Sequence, residues 1–152
     1  MSAADQISTK YDLEVRRIKE LYFFINEAAA GMPGNQPVRL EVGLHMTFKP
    51  DADLVMLTIR AFYHFPARPP EDVLLDIQVQ NAYEIPGLKQ FHRDDMLKLP
   101  PSLITAIVEL SLAHTRAILA IKTAGTVFQD TLLAVMDARE LATHFFPLMF
   151  EG

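Results

Sequence analysis

The segment PVRLEVGLHMTFK, residues 37 to 49, constrains the fold more than any other stretch of the chain. Its large apolar side chains are Val38, Leu40, Val42, Leu44, Met46 and Phe48, and Arg39, Glu41, Gly43, His45, Thr47 and Lys49 alternate with them. A strand sends successive side chains to opposite faces, so this segment is a strand with one apolar face and one wet face. Such a strand needs partners beside it and a layer over its apolar side.

The flanking sequence supplies partners. Tyr11 to Ile25 reads as a first strand, and its alternation changes phase near Arg16–Arg17, which suggests a bulge; a short amphipathic helix is the alternative. NEAAAGMPGNQP, residues 26 to 37, is a flexible connection, long for a simple hairpin. After a turn at Pro50–Asp53, Leu54 to Phe65 is apolar on both parities at first and reads as a central strand. PARPPED, residues 66 to 72, is a rigid loop. In the fourth strand, Val73 to Ile85, Val73, Leu75, Ile77, Val79, Tyr83 and Ile85 share one face. Residues 87 to 99 are irregular, with a turn of helix expected at Arg93 to Leu97.

Helices follow. Pro100–Pro101–Ser102 opens a long one, with Ser102 as N-cap, which runs to about Thr123 and stops at Gly125. Asp137 caps a second, Ala138 to Phe146, which Pro147 ends. The expected fold is α+β: a four-stranded antiparallel sheet with one long and one short C-terminal helix on one face. With 152 residues, half of them hydrophobic, the chain suits a single domain over residues 1–152, its first ten residues polar and frayed.

On a wheel of the long helix, Thr105, Glu109, Arg116 and Thr123 form one narrow polar stripe and nearly everything else is apolar. A helix that is apolar almost all round is a buried helix. One sheet and one short helix cannot cover it, so a second copy of the chain is expected to do so. The interface expected is Ile107, Leu110, His114, Ile118 and Ile121, and the alternative cover is the chain's own C-terminal segment.

The search for chemistry is mostly negative. His45, His64, His92, His114 and His144 show no paired metal-ligand spacing. Ser2, Ser8, Ser102 and Ser111 sit in no nucleophile elbow, and Asp94–Asp95 beside His92 reads as a turn. Gly31–Met32–Pro33–Gly34 lacks the Lys-Ser or Lys-Thr of a phosphate loop. No catalytic residue, metal or cofactor is expected, and a binding protein is favoured over an enzyme or a small-ligand carrier. A net charge of −5 with no basic block argues against nucleic acid. The absence of cysteine fits a reducing compartment. With no signal peptide and no apolar run near the roughly 18 residues of a spanning helix, a cytoplasmic protein without membrane insertion is expected. Apolar side chains crowd the C-terminus, LATHFFPLMFEG, where an exposed patch would mark an interaction site.

Three stretches carry a family resemblance. EVRRIKELYFFINEA (residues 14–28), LLDIQVQNAYEIPGL (74–88) and RAILAIKTAGTVFQDTLLAVMDAREL (116–141) resemble the first strand, the fourth strand and the helix end of the SecB family of export chaperones. The resemblance implies a homotetramer built as a dimer of dimers around the long helices. It implies an ATP-independent holdase that takes unfolded polypeptides or preproteins in apolar grooves. By that resemblance the client-binding residues are Met32, Leu40, Val42, Leu44, Met46, Leu141, Phe145 and Phe146. Family members of the export type also use acids to dock the translocase motor SecA. Here the matching first-strand position reads Phe23–Phe24, and Glu71 and Asp72 are displaced to the end of a proline-rich loop. The chaperone role therefore carries over better than SecA as a partner does. A dedicated-partner module, such as the SecB-like chaperones linked to toxin–antitoxin pairs, is the second reading.

Overall fold

The computed structural model describes residues 12–26, 38–65, 73–130 and 133–151. The long strands are β1 (Glu14–Ile25), β2 (Arg39–Lys49), β3 (Leu54–His64) and β4 (Val73–Glu84). They form one antiparallel sheet in the order β1-β4-β3-β2. A hairpin of β5 (His92–Arg93) and β6 (Met96–Leu97) follows, then helix α1 (Pro101–Thr123) and helix α2 (Ala138–Phe145). The expected α+β class, strand count and helix pair are all present.

The strand order explains why the connection after β1 is long. β1 and β2 are opposite edges of the sheet, so residues 27–37, outside the described set, join two edges and not a hairpin. The loop expected at residues 66–72 also lies outside the described residues. β1 is bulged at the expected place: its register on β4 shifts between Val15 and Arg17, and again between Glu20 and Tyr22.

Register and parity divide the sheet into an inner and an outer face. Val55, Leu57, Ile59 and Ala61 of β3 and Leu75, Ile77, Val79 and Tyr83 of β4 point inward and are fully buried. Helix α1 lies over these two strands, bringing Leu103, Ile104, Ile107, Val108, Leu112 and Leu119 onto them. α2 packs on α1, and the turn Pro147–Phe150 closes against both helices. In that turn Met149 is buried and Phe150 lies half-buried under the Arg139 guanidinium, while Leu148 stays exposed. Most of the apolar C-terminal segment is therefore core.

Several expectations are corrected. Ser102 is not the N-cap; the helix begins at Pro101 behind Pro100, with no side-chain cap, because proline at the first helical position needs no amide partner. The polar stripe on α1 is mixed: Glu109 is exposed, Thr105 and Arg116 are half-buried, and Thr123 is buried. Thr123 is buried and donates to the Leu119 carbonyl, and Thr105 donates to Pro101. A hydroxyl satisfied one turn back can face a core. Arg116 donates to the carbonyls of Leu133 and Ala134 and holds the incoming segment before α2. The turn of helix expected at Arg93–Leu97 is the β5–β6 hairpin, with Asp94 and Asp95 both at positive φ. By length and composition α1 could cross a membrane, contrary to the expectation that no segment approaches that length. Its buried face is spent on the chain's own sheet. Gly125 does adopt the left-handed stop expected of it, at φ +78. Asp137 caps α2 by accepting from the Glu140 amide at 3.0 Å.

Candidate functional site: apolar shelves beside the long helix

Because α1 covers the two central strands, the inner rows of both edge strands are left as shelves at its sides. On β2 the shelf is Leu40, Val42, Leu44, Met46 and Phe48, each half-buried and packed against the core. The register with Tyr63, Ala61, Ile59, Leu57 and Val55 confirms that this row faces the helix side. The outer backbone edge of β2 has no partner strand among the described residues. An extended polypeptide could add to such an edge while its side chains enter the shelf.

The expected client residues fall into separate groups. Leu40, Val42, Leu44 and Met46 form one row on β2. Leu141 and Phe146 border the same core from α2, half-buried, and Phe145 stands edge-on to His144 at 4.9 Å between centroids. Met32 lies outside the described residues.

The expected oligomer residues are mostly on the outward side of α1. Leu110 is 37% exposed and Ile121 is 74% exposed, with Ala113 and Ala117 exposed between them. His114 and Ile118 are half-buried at the margin of this stripe. Ile107 is fully buried in the chain's own core and faces the sheet, so no interface role is proposed for it.

Sequence reading missed the exposure of β1. Val15, Ile18, Leu21, Tyr22 and Phe24 are each exposed, on both faces of that edge strand. Val15 and Ile18 belong to the helix side, where Lys122 of α1 reaches Glu20 at 3.3 Å and lies over the Phe23 ring. The signal was present in the unbroken apolar run Leu21 to Ile25. A strand with one wet face would have alternated.

Between sheet and α1 runs a buried polar seam. Tyr83 Oη lies 2.6 Å from Ser111 Oγ, and Asn81 Oδ1 lies 2.7 Å from His114 Nδ1. The Asn81 amide donates its other end to the Leu57 carbonyl. That fixes its oxygen toward the imidazole, so neutral His114 carries its proton on Nδ1 and donates it. Burial pushes the Tyr83 hydroxyl up to about 12 and moves the His114 imidazole below its ordinary value. Both groups stay neutral near pH 7, and through them the seam joins the sheet to α1. Among the described residues, no group of His, Asp and Glu side chains gathers in a way that could hold a metal ion.

No family model and no curated protein matches the sequence. Among solved structures, the chain is similar to a SecB-like chaperone from Mycobacterium tuberculosis, solved in complex with a ChAD peptide from the HigA1 antitoxin. The likeness has a TM-score of 0.55 at 13% identity and covers 82% of this chain and 89% of the other. It establishes a shared SecB-like fold. A protein of unknown function from Streptococcus agalactiae aligns over 84% of this chain at 11% identity, but its TM-score of 0.32 carries no argument.

Proposed function

We propose that this protein is an ATP-independent holdase that binds unfolded or preprotein polypeptide along the β2 shelf. The observation that carries the reading is the half-buried row Leu40, Val42, Leu44, Met46 and Phe48 on an edge strand without a partner strand among the described residues. A client segment laid there gains both side-chain burial and backbone hydrogen bonds. Burying on the order of 400 Å² of apolar surface contributes about 10 kcal/mol before ordering costs, enough to hold an extended segment reversibly. Leu141, Phe145 and Phe146 at the short helix, and Met32 in the connection after β1, are proposed as further client contacts apart from the β2 row.

The SecB-like neighbour was solved with an antitoxin peptide, which supports polypeptide as the ligand class. The same complex favours one second reading, a chaperone dedicated to a single partner. Client range separates the two. Assembly is proposed to be a homotetramer, with Leu110, His114, Ile118 and Ile121 of α1 at the interface, working in the cytoplasm. Coupling to SecA is no part of the proposal, because Phe23–Phe24 stands where export-type members carry a docking acid.

A photo-crosslinking amino acid at position 42 tests the binding surface. It is expected to capture a reduced, unfolded client and to leave the same client uncaptured once folded. Equal capture of both forms, or of neither, would overturn the assignment of the shelf.

A further inference from the structure

The outer face of the sheet, away from the helices, has a charge pattern that the holdase reading does not use. Register places Glu14, Arg17, Lys19, Tyr22 and Phe24 of β1 on this face, with Asp76, Gln78, Gln80 and Glu84 of β4 beside them. Thr58, Arg60, Phe62 and His64 of β3 follow, and Arg39, Glu41, Gly43, His45 and Lys49 of β2 complete it. Each acid on the face is engaged. Glu84 and Glu14 pair with Arg16. Asp76 takes Arg60 in a two-pronged pair at 2.8 and 3.2 Å, and Glu41 rests 2.9 Å from His64 Nε2. Arg17, Lys19, Arg39 and Lys49 are exposed and form no ion pair among the described residues. Glu14 and Glu84 share one Arg16, so with Arg60 the face sets six Arg and Lys against four carboxylates and is basic on balance, on a chain whose net charge is −5.

The centre of the face is different. A depression of about 540 Å³ is lined by Leu21, Gly43, Leu44, His45, Thr58, Gln78, Gln80 and Arg60, the last with its charge met by Asp76. Gly43 is its floor. Glycine weakens the middle of a strand, and it is kept where something must approach the backbone closely. Among the described residues nothing is that close: a Cβ at Gly43 would meet no atom of theirs within 4 Å, and its backbone is not left-handed. The space over Gly43 is therefore not required by the packing of the described residues.

We infer that this outer face is a docking surface for an acidic protein partner, which seats uncharged side chains over Gly43 and sets carboxylates against Arg17, Lys19, Arg39 and Lys49. A neutral centre with charge at the margin is the anatomy of a protein interface. Nucleic acid would ask for closely spaced bases along one track, to match a phosphate charge about every 1.7 Å of duplex. Here the spare bases stand on opposite edge strands, with neutral side chains between them.

The test uses a fluorescein-labelled Glu/Tyr random copolymer as probe, with a Lys/Tyr copolymer and a short single-stranded DNA as comparisons, read by anisotropy. The full chain is expected to bind the acidic copolymer and to lose it as salt rises. Arg17→Glu with Lys19→Glu, and separately Thr58→Glu on the central strand, are each expected to weaken it at least tenfold, while suppression of client aggregation stays at the wild-type level. Acidic-copolymer binding that is absent or unchanged in these folded variants would overturn the inference. So would equal binding of the DNA or of the basic copolymer. Loss of client holding in the same variants would make the outer face part of the client site and would equally overturn a separate docking surface. Failure of the holdase reading itself would appear instead as no client suppression by the wild type.

Discussion

Tyr83 Oη of β4 and Ser111 Oγ of α1 lie 2.6 Å apart in a region closed to solvent, and the same hydroxyl reaches the Ile107 carbonyl at 3.4 Å. This contact ties the long helix to the sheet at one rotation and one height. A purely apolar seam would let the helix slide by a turn at small cost, whereas an unmatched buried hydroxyl is expensive. The height of α1 decides how much of the β2 row it covers. The polar seam therefore helps to set the shape of the shelf.

Tyr83→Phe is expected to lower stability by about 1–2 kcal/mol, because it strips the partner from the buried Ser111 hydroxyl. Ser111→Ala should cost a similar amount. The double variant should cost less than the two together, since both remove one interaction. Urea denaturation of the set measures this, and simple additivity would show that the two groups do not interact.

His114 makes stability pH-dependent. Its imidazole is held neutral in the folded chain by burial, below the ordinary value of about 6.5 it regains on unfolding. The unfolded state then binds the extra proton first. The contribution is complete above about pH 6.5 and is lost as pH falls from there toward the folded value. His114→Gln keeps a donor for Asn81 and does not titrate. It is expected to flatten the fall in melting temperature between about pH 7 and pH 5; an unchanged slope would assign that fall to other groups.

Asp94 and Asp95 form the tip of the β5–β6 hairpin with φ of 50 and 65. A two-residue turn of this kind favours Asn-Gly. Asp95→Gly should raise stability by about 0.5–1 kcal/mol, read as a higher melting temperature, with no change in client binding.

Leu110→Asp combined with Ile121→Asp places charge on the exposed stripe of α1 without touching its buried face. Sedimentation should show a smaller species with unchanged circular dichroism. A folded double variant that sediments like the wild type would remove α1 from the interface.

What the sequence made legible was local. Strand periodicity located β1 to β4 to within a few residues, the phase change at Arg16–Arg17 marked the bulge, and Gly125 and Asp137 marked helix ends. These follow from one residue's conformational needs or from a short repeat. What stayed hidden depended on distant partners. Nothing in β1 says that it pairs with β4 and becomes an edge, so the exposure of its apolar residues could not be read from its own sequence. Thr123 counted as part of a polar stripe, and its burial was hidden because its bond to the Leu119 carbonyl is formed within the helix and leaves no trace in hydropathy. The β2 row was visible as an apolar face. That it is half-covered follows only from where α1 lies.

The most direct test of the account is light scattering from a reduced, aggregating client, measured without nucleotide, in the presence of the wild-type chain and of a Val42→Asn, Leu44→Asn variant. The account predicts suppression by the wild type at near-stoichiometric amounts and clear loss of suppression in the folded variant. A well-folded wild-type protein that leaves aggregation unchanged, or a variant that protects as well as the wild type, would contradict it.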